Sequence, residues 1–412
     1  MKYTLCLPVL LLLGLLVSRC SLVESEAERE PIPPRELTTA EKQITDAGSQ
    51  FGLTLFRALS EDAPNENLFL SPLSVSMALG MTLNGAGGET YTAMQQTLEL
   101  AGLSQEAINQ SYQSLIELLV GLDPKVAFEI ANSIWYRQGF AVEPDFLDGN
   151  TTYFDAEVRD LDFGHPDAVD IINGWVSDKT HGKIEEILQE IDPATVMFLI
   201  NAIYFKGTWT YEFDKDETRE DVFTRHDGTT ADVPMMHQEA DLPYFETESF
   251  QAVDLPYGDS LFSMTILLPR EGYDIDALAA GLDEAYWNDW VGRFETRGLD
   301  LRLPRFKLEY EKELNEVLTA LGMGIAFDAG RADFTGINRG GGLWIDYVKH
   351  KAFVEVNEEG TEAAAVTVVA INQCAGCGGG TPISMHVNRP FIFTIREQHS
   401  GTILFIGKVN VL

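Results

Sequence analysis

Two cysteines three positions apart, in the run Cys374-Ala375-Gly376-Cys377-Gly378-Gly379-Gly380, are the residues here whose type and spacing most invite chemistry. Such a pair can be a redox couple, half of a zinc site or a local disulfide. A redox couple needs its first thiolate at a helix N-terminus, where the backbone dipole lowers the thiol pKa. Three consecutive glycines do not start that helix. A structural zinc needs a second ligand pair. The seven histidines (165, 181, 226, 237, 350, 386 and 399) are scattered, with no two at i,i+4 spacing. "GAGGET" at 85–90 and "RGGGLW" at 339–344 lack the Lys-Ser/Thr ending of a phosphate loop, and the chain contains no HExxH or GxSxG. The reading is therefore of a protein that is not an enzyme, with no metal and no cofactor. A local disulfide between Cys374 and Cys377 stays open.

The segment that leads into these cysteines is "EEGTEAAAVTVVAIN", residues 358–372. Taken at strand period, Thr361, Ala363, Ala365, Thr367, Val369 and Ile371 form an uncharged face that begins very small. Glu362, Ala364, Val366, Val368, Ala370 and Asn372 form the other, which tolerates a charge. Gly360, just before, permits a backbone swing that other residues resist, and "CAGCGGGTP" after it can only be loop. Alone, the segment reads as an edge strand with a hairpin loop.

The elements around it are mixed. Ile44, Ala47, Phe51, Leu55 and Leu59 recur at helical spacing and predict a helix over 39–60. A short apolar strand follows, then a helix begun by Ser-Pro and ended by glycines. Helical spacing also fits 104–121 and 166–180. "VAFEIANSIWYRQ" and "VMFLINAIYFKGTW" have the composition of strands buried on both faces. After residue 221 strand patterns dominate, interrupted by one helix at 311–321. Helices first and strands later, without βα alternation, make this an α+β chain.

The N-terminus has one basic residue, an apolar run too short to span a membrane, and then small and polar residues. Residues 1–20 read as an export signal. "LLVSRC" resembles a lipobox that would lipidate Cys20, although Arg19 departs from that pattern, so a lipoprotein and a secreted protein both fit. Residues 21–38, rich in Glu and Pro, form a tether, and 39–412 the folded domain. Either leader places that domain outside the cytoplasm, touching membrane only through the lipid. With 29 basic and 64 acidic residues, the net charge is −35. Such a surface repels nucleic acid and anionic lipid, whose recognition rests on Lys and Arg.

Six stretches change the reading of the 358–372 segment. "NLFLSPLSVSMALGMTLNGAGGET", "LINAIYFKGTW", "VDLPYGDSLFSMTILLPR", "LRLPRFKLEY", "HKAFVEVNEEGTEAA" and "HVNRPFIFTIRE" occur in serpin order from about residue 40 to the C-terminus. The chain resembles a serpin, most specifically in "NEEGTEAA" and "NRPFIF". The resemblance implies one domain with three β-sheets and about nine helices, its central sheet five-stranded with a gap able to accept a sixth strand. It implies a reactive loop at about 358–385 that a serine protease cleaves. The acyl-enzyme is then trapped as the loop inserts into the central sheet.

Residue by residue, Glu358, Gly360, Thr361, Ala363, Ala364 and Ala365 match the family's inhibitory hinge. Ser71, Ser74, Asn201 and His350 match its shutter, and Trp209 the residue where the strand enters. The family's spacing of seventeen residues from Glu358 places the scissile bond at Cys374–Ala375. The segment after Ala375 is longer than usual, so Ile371, Asn372, Gln373 and Ala375 remain rivals. A small residue at Cys374 suits an elastase- or subtilisin-like protease, with papain-like enzymes a further class. A trypsin-like target does not fit, because no Lys or Arg lies between 352 and 388. A monomer is expected, and no polyanion activator, since no basic helix patch occurs. A disulfide across the cut bond would tie the cleaved ends together and make inhibition depend on reduced thiols. The rival reading is a serpin-fold binding or chaperone protein that inhibits nothing.

Overall fold

Thr38 starts the fold by capping the first helix. Its side chain accepts from the Glu41 amide, and the Glu41 carboxylate accepts from the Thr38 amide in return. The computed structural model describes residues 35–361 and 381–412. Residues 34–412 group as one compact unit.

Nine α-helices are described: α1 Thr39–Asp62, α2 Pro72–Leu83, α3 Gly88–Thr97, α4 Gln105–Leu119, α5 Pro144–Phe154, α6 Ala168–Lys179, α7 Ile275–Ala280, α8 Glu284–Val291 and α9 Asn315–Leu318. The helices expected over 39–60, 104–121 and 166–180 are α1, α4 and α6. Ser71 caps α2 and Pro72 fills its first position. Four helices escaped the sequence reading: α3, α5, α7 and α8. Of these, α7 and α8 have six and eight residues, are set by the Asp274 and Asp283 caps, and are too short for hydrophobic periodicity to reveal.

The first four strands are β1 Leu68–Leu70, β2 Val126–Arg137, β3 Ala156–Leu161 and β4 Met197–Thr208. Then come β5 Arg219–Thr224, β6 Thr230–Glu246, β7 Phe250–Tyr257, β8 Phe262–Pro269, β9 Glu295–Pro304 and β10 Phe306–Glu313. The last five are β11 Lys349–Val356, β12 Gly360–Thr361, β13 Ile383–His386, β14 Phe391–Glu397 and β15 Ile403–Val409. The helix expected at 311–321 is corrected, since residues 306–313 are strand and the helix starts only at Asn315. The alternating glutamates that mimicked a helix face instead lie along β10, where Glu311 bridges Lys349 and Lys351 of β11 at 3.0 and 3.2 Å.

The described strands form two hydrogen-bonded networks where three sheets were expected. The larger runs β1-β15-β14-β8-β7-β6-β9-β13, with β5 on β6. The two expected sheets merge here because β6, 17 residues long, pairs with β5 over residues 230–235, with β9 over 235–244 and with β7 over 244–246. The smaller sheet runs β10-β11-β12-β4-β2-β3. It was expected to be five-stranded with a sixth position to fill, and β12 has taken the first two residues of that position.

In this sheet the middle strands β2 and β4, expected to be buried on both faces, are so over part of their length, whereas β10 and β11 alternate buried residues with more exposed ones. One face meets the main core, where Phe205 of β4 lies within 6.5 Å of Phe262 and Phe405. The other is covered by α6, whose Ile172, Trp175 and Val176 pack on Trp135, Phe198 and Ala202.

Candidate functional site

Strands β4 and β11 both pair antiparallel with β12, so they run parallel to each other with one strand position between them. Among the described residues they are joined only through β12. Gly360 lies opposite Thr208, and Thr361 lies opposite Gly207 on one side and Val356 on the other. The fit at Gly360 excludes any side chain. Its φ is +154°, and a Cβ there would fall 2.0 Å from the Gly207 carbonyl oxygen. Gly207 is confined in turn, since a Cβ there would meet the Tyr257 ring at 2.8 Å.

Polar contacts hold the approach to β12. The Trp209 amide donates to the Glu359 carbonyl and the Phe213 amide to the Glu358 carbonyl, each at 2.9 Å. Trp209 Nε1 donates to the Asn357 carbonyl at 2.9 Å, and its ring stacks on Tyr257 with centroids 4.4 Å apart. Thr361 Oγ1 lies 2.5 Å from the Tyr257 hydroxyl, and both residues are buried. Glu358 is 2% exposed, and its carboxylate accepts from Arg305 Nη2 at 2.5 Å and Thr218 Oγ1 at 2.7 Å. Burial opposes the charged form of Glu358, but these two donors outweigh it and hold the carboxyl below its ordinary pKa.

Below Thr361 the two strands share a cleft. Its upper part is lined by Asn201 and Ile203 of β4 and by His350, Ala352 and Val354 of β11. Its lower part opens into a cavity of about 450 Å³ bounded by Leu79, Phe198, Ile200, Trp344 and Ile345. At the cleft floor the Ser71 amide donates to His350 Nε2 at 3.1 Å. Ser71 Oγ donates to the Leu404 carbonyl at 2.7 Å and accepts from the Ser74 amide at 3.2 Å. Asn201 Nδ2 donates to Asn132 Oδ1 at 2.8 Å, and Asn201 Oδ1 is buried without a partner. The cleft thus has a seated opening, apolar walls and polar groups along its floor.

Residues 46–411 match the family model described as Serpin (serine protease inhibitor). This chain is a serpin. It is 37% identical over 379 residues to Iripin-2 of Ixodes ricinus, covering 90% of this chain and 94% of the relative. It is 35% identical to the leukocyte elastase inhibitor of Sus scrofa, covering 90% and 99%. The native crystal structure of Tengpin, a thermophilic serpin, superposes with a TM-score of 0.81 at 34% identity, covering 93% of this chain and 97% of that one.

The structure brings Glu358, Gly360, Thr361 and Trp209, expected at the hinge, together around β12. Ser71, Ser74 and His350 form one hydrogen-bonded chain. Asn201 lines the same cleft, but its amide turns to Asn132 and not to that chain. Ala363, Ala364, Ala365, Cys374, Ala375, Cys377 and Cys20 lie outside the described residues. Arg305, Thr218, Tyr257, Gly207 and Asn132 were missed. Arg305, Gly207 and Tyr257 sit inside "LRLPRFKLEY", "LINAIYFKGTW" and "VDLPYGDSLFSMTILLPR", but only strand register puts them against the hinge.

His350 is buried at the cleft floor, and burial pulls its pKa down to about 4. The imidazole is therefore neutral at pH 7, as accepting from the Ser71 amide requires. In the unfolded chain it protonates near pH 6.5, so the stability gained from its neutral form is complete above that pH and is lost as pH falls toward 4. The loss amounts to about 3 kcal/mol. Urea unfolding of the uncut protein at pH 7 and pH 4.5 should show a lower midpoint in acid, and His350→Gln should shrink the part of that fall between pH 6.5 and 4.5. An equal fall in the variant contradicts this role.

Proposed function

We propose that this serpin is a suicide inhibitor of serine proteases. The observation that supports it is the seated hinge: β12 holds two residues of a sixth strand between β4 and β11, at the head of a cleft that continues below it. The protease's serine attacks the carbonyl carbon at the scissile bond, placed at Cys374–Ala375. An ester forms at Cys374 and the amine of Ala375 leaves. The freed segment from Thr361 onward then zips down the cleft, its small face toward the core, and carries the acylated protease along. Each residue added contributes a backbone hydrogen bond worth roughly 1 kcal/mol net. Eleven residues from Thr361 to Ile371 reach roughly 36 Å. Inhibition is a race between this zipping and hydrolysis of the ester, so the first residues to enter must be small.

The targets we infer are elastase- or subtilisin-like enzymes, with papain-like ones a further class. The protein acts as a monomer outside the cytoplasm, secreted or held at the envelope by a lipid on Cys20. The similarity to the leukocyte elastase inhibitor supports the elastase assignment.

Incubation with an elastase should yield an SDS-resistant adduct and a released C-terminal peptide beginning at Ala375 by mass spectrometry. Clean cleavage without an adduct would favour the non-inhibitory binding reading. Thr361→Arg asks the sheet to bury a guanidinium beside Tyr257, a cost of several kcal/mol. It should divert flux to hydrolysis and raise the number of inhibitor molecules consumed per protease roughly tenfold or more. An unchanged count contradicts insertion at this point. Should Cys374 and Cys377 pair, the oxidised protein will be cut without forming the adduct and dithiothreitol will restore it; equal stoichiometry with and without reductant rules out the redox gate.

A further inference from the structure

The turn that joins β5 to β6, residues 225–229, is held to one shape by its own hydrogen bonds. The Arg225 amide donates to the Thr229 carbonyl at 2.7 Å, and the Gly228 amide to the Arg225 carbonyl at 2.9 Å. Asp227 Oδ1 accepts from the Thr229 amide and hydroxyl at 2.9 and 2.6 Å. The His226 amide donates to the Asn410 carbonyl at 3.0 Å. With its backbone fixed in this way, His226 meets the start of α7, its Nε2 3.2 Å from Asp276 Oδ2. Asp274 caps that helix through Oδ1, which accepts from the Asp276 amide at 2.9 Å, and is otherwise exposed. His226, Asp274 and Asp276 each bring one donor atom within 4.8 Å of the other two.

Lys408 of β15 supports this cluster from the core. It is fully buried, and its Nζ donates to Asp276 Oδ1 at 2.9 Å and to the Pro64 carbonyl at 3.0 Å. The ammonium orients the Asp276 carboxylate and neutralises one of the two negative charges, so Asp274 leaves one in excess. Asn410, also fully buried, donates Nδ2 to the Pro64 and Glu66 carbonyls at 2.8 and 2.9 Å, which fixes the sense of its amide. Its Oδ1 has no hydrogen-bond partner among the described residues. One contact network therefore holds an imidazole nitrogen, two carboxylates and a buried acceptor still without a donor.

We propose that His226, Asp274 and Asp276 bind a zinc ion that staples the β5–β6 turn to α7. The donor set decides the ion. An imidazole nitrogen beside carboxylate oxygens suits zinc, whereas calcium and magnesium take oxygen ligands. Zinc held by three protein groups keeps a water as its fourth ligand, and such a water is a donor of the kind Asn410 Oδ1 lacks. Ligand atoms placed tetrahedrally about 2.1 Å from zinc stand roughly 3.4 Å apart. The His226–Asp276 pair is already close to that separation, and the remaining adjustment falls on Asp274, the exposed one of the three. Lys408 acts as the outer partner that orients a ligating carboxylate, and its charge keeps the affinity moderate. The scattered histidines gave no metal motif in the sequence because the fold makes the site: His226 and Asp276 stand 50 positions apart. None of its residues lines the cleft or pairs with β12, so the inference does not depend on the inhibitory reading.

The test is calorimetric titration of the full chain with zinc chloride after metals are stripped with EDTA. Cys374 and Cys377 are alkylated first, so that their thiols do not take the ion, and calcium and magnesium chlorides serve as comparison probes. Expected is one equivalent of zinc bound with a Kd of about 10 μM or below, with calcium and magnesium weaker. D274N keeps the helix cap, because Asn caps as well as Asp, but removes the charge. It should weaken zinc binding by about tenfold or more, as should H226N; D274N decides alone should H226N misfold. H181N, at an exposed histidine beside Glu129, should keep the unaltered affinity. Saturating zinc should raise the unfolding temperature of the unaltered chain by about 2 °C or more and leave that of D274N unmoved. An equivalent that survives in D274N, or is lost in H181N, overturns the assignment to this site. Heat without saturation means an adventitious ion only and overturns it as well, and calcium bound more tightly than zinc overturns the choice of ion.

Discussion

Everything in this molecule turns on two glycines whose backbones are pressed together, Gly207 of β4 and Gly360 of β12. That contact lets a two-residue strand sit between two parallel strands. A backbone N–H or C=O inside a sheet must find a partner, and an antiparallel strand between β4 and β11 supplies partners to both. Beneath the two seated residues the cleft walls are already apolar and the floor is already polar and largely satisfied. On the inhibitory reading, further pairing in this position is what cleavage would release, because residues 362–380 join Thr361 covalently to the chain that enters β13.

The residues matched to the hinge and to the shutter lie near opposite ends of β11. Along β11 the inward residues are His350, Ala352, Val354 and Val356, all buried. His350 rests on the Ser71 amide at one end, and Val356 pairs with Thr361 at the other.

Much of this was legible in the sequence, and for identifiable reasons. The strand patterns after residue 221 and the spacing of Ile44, Phe51 and Leu55 are local signals that tertiary structure did not override. The small face beginning at Thr361 is read directly from alternate residues, and Thr361 is indeed buried against Tyr257. What was not legible depended on register. Arg305 and Glu358 are 53 positions apart, and nothing local marks them as partners until β10 is paired with β11. The same pairing places Glu311 and Glu313, expected in a helix, at the end of a strand. The fusion of two sheets through β6 is likewise a property of one long strand's two sets of partners, which no periodicity within it announces.

The central claim is that the intact fold stops short of its most stable arrangement because a strand position remains to be filled. Differential scanning calorimetry of the protein before and after a single cut in the reactive loop, with both fragments retained, tests this most directly. A filled sixth strand should raise the unfolding temperature by about 10 °C or more. A nicked protein that unfolds at the same temperature as the intact one would mean that cleavage releases nothing, and that the uncut chain already occupies its most stable state.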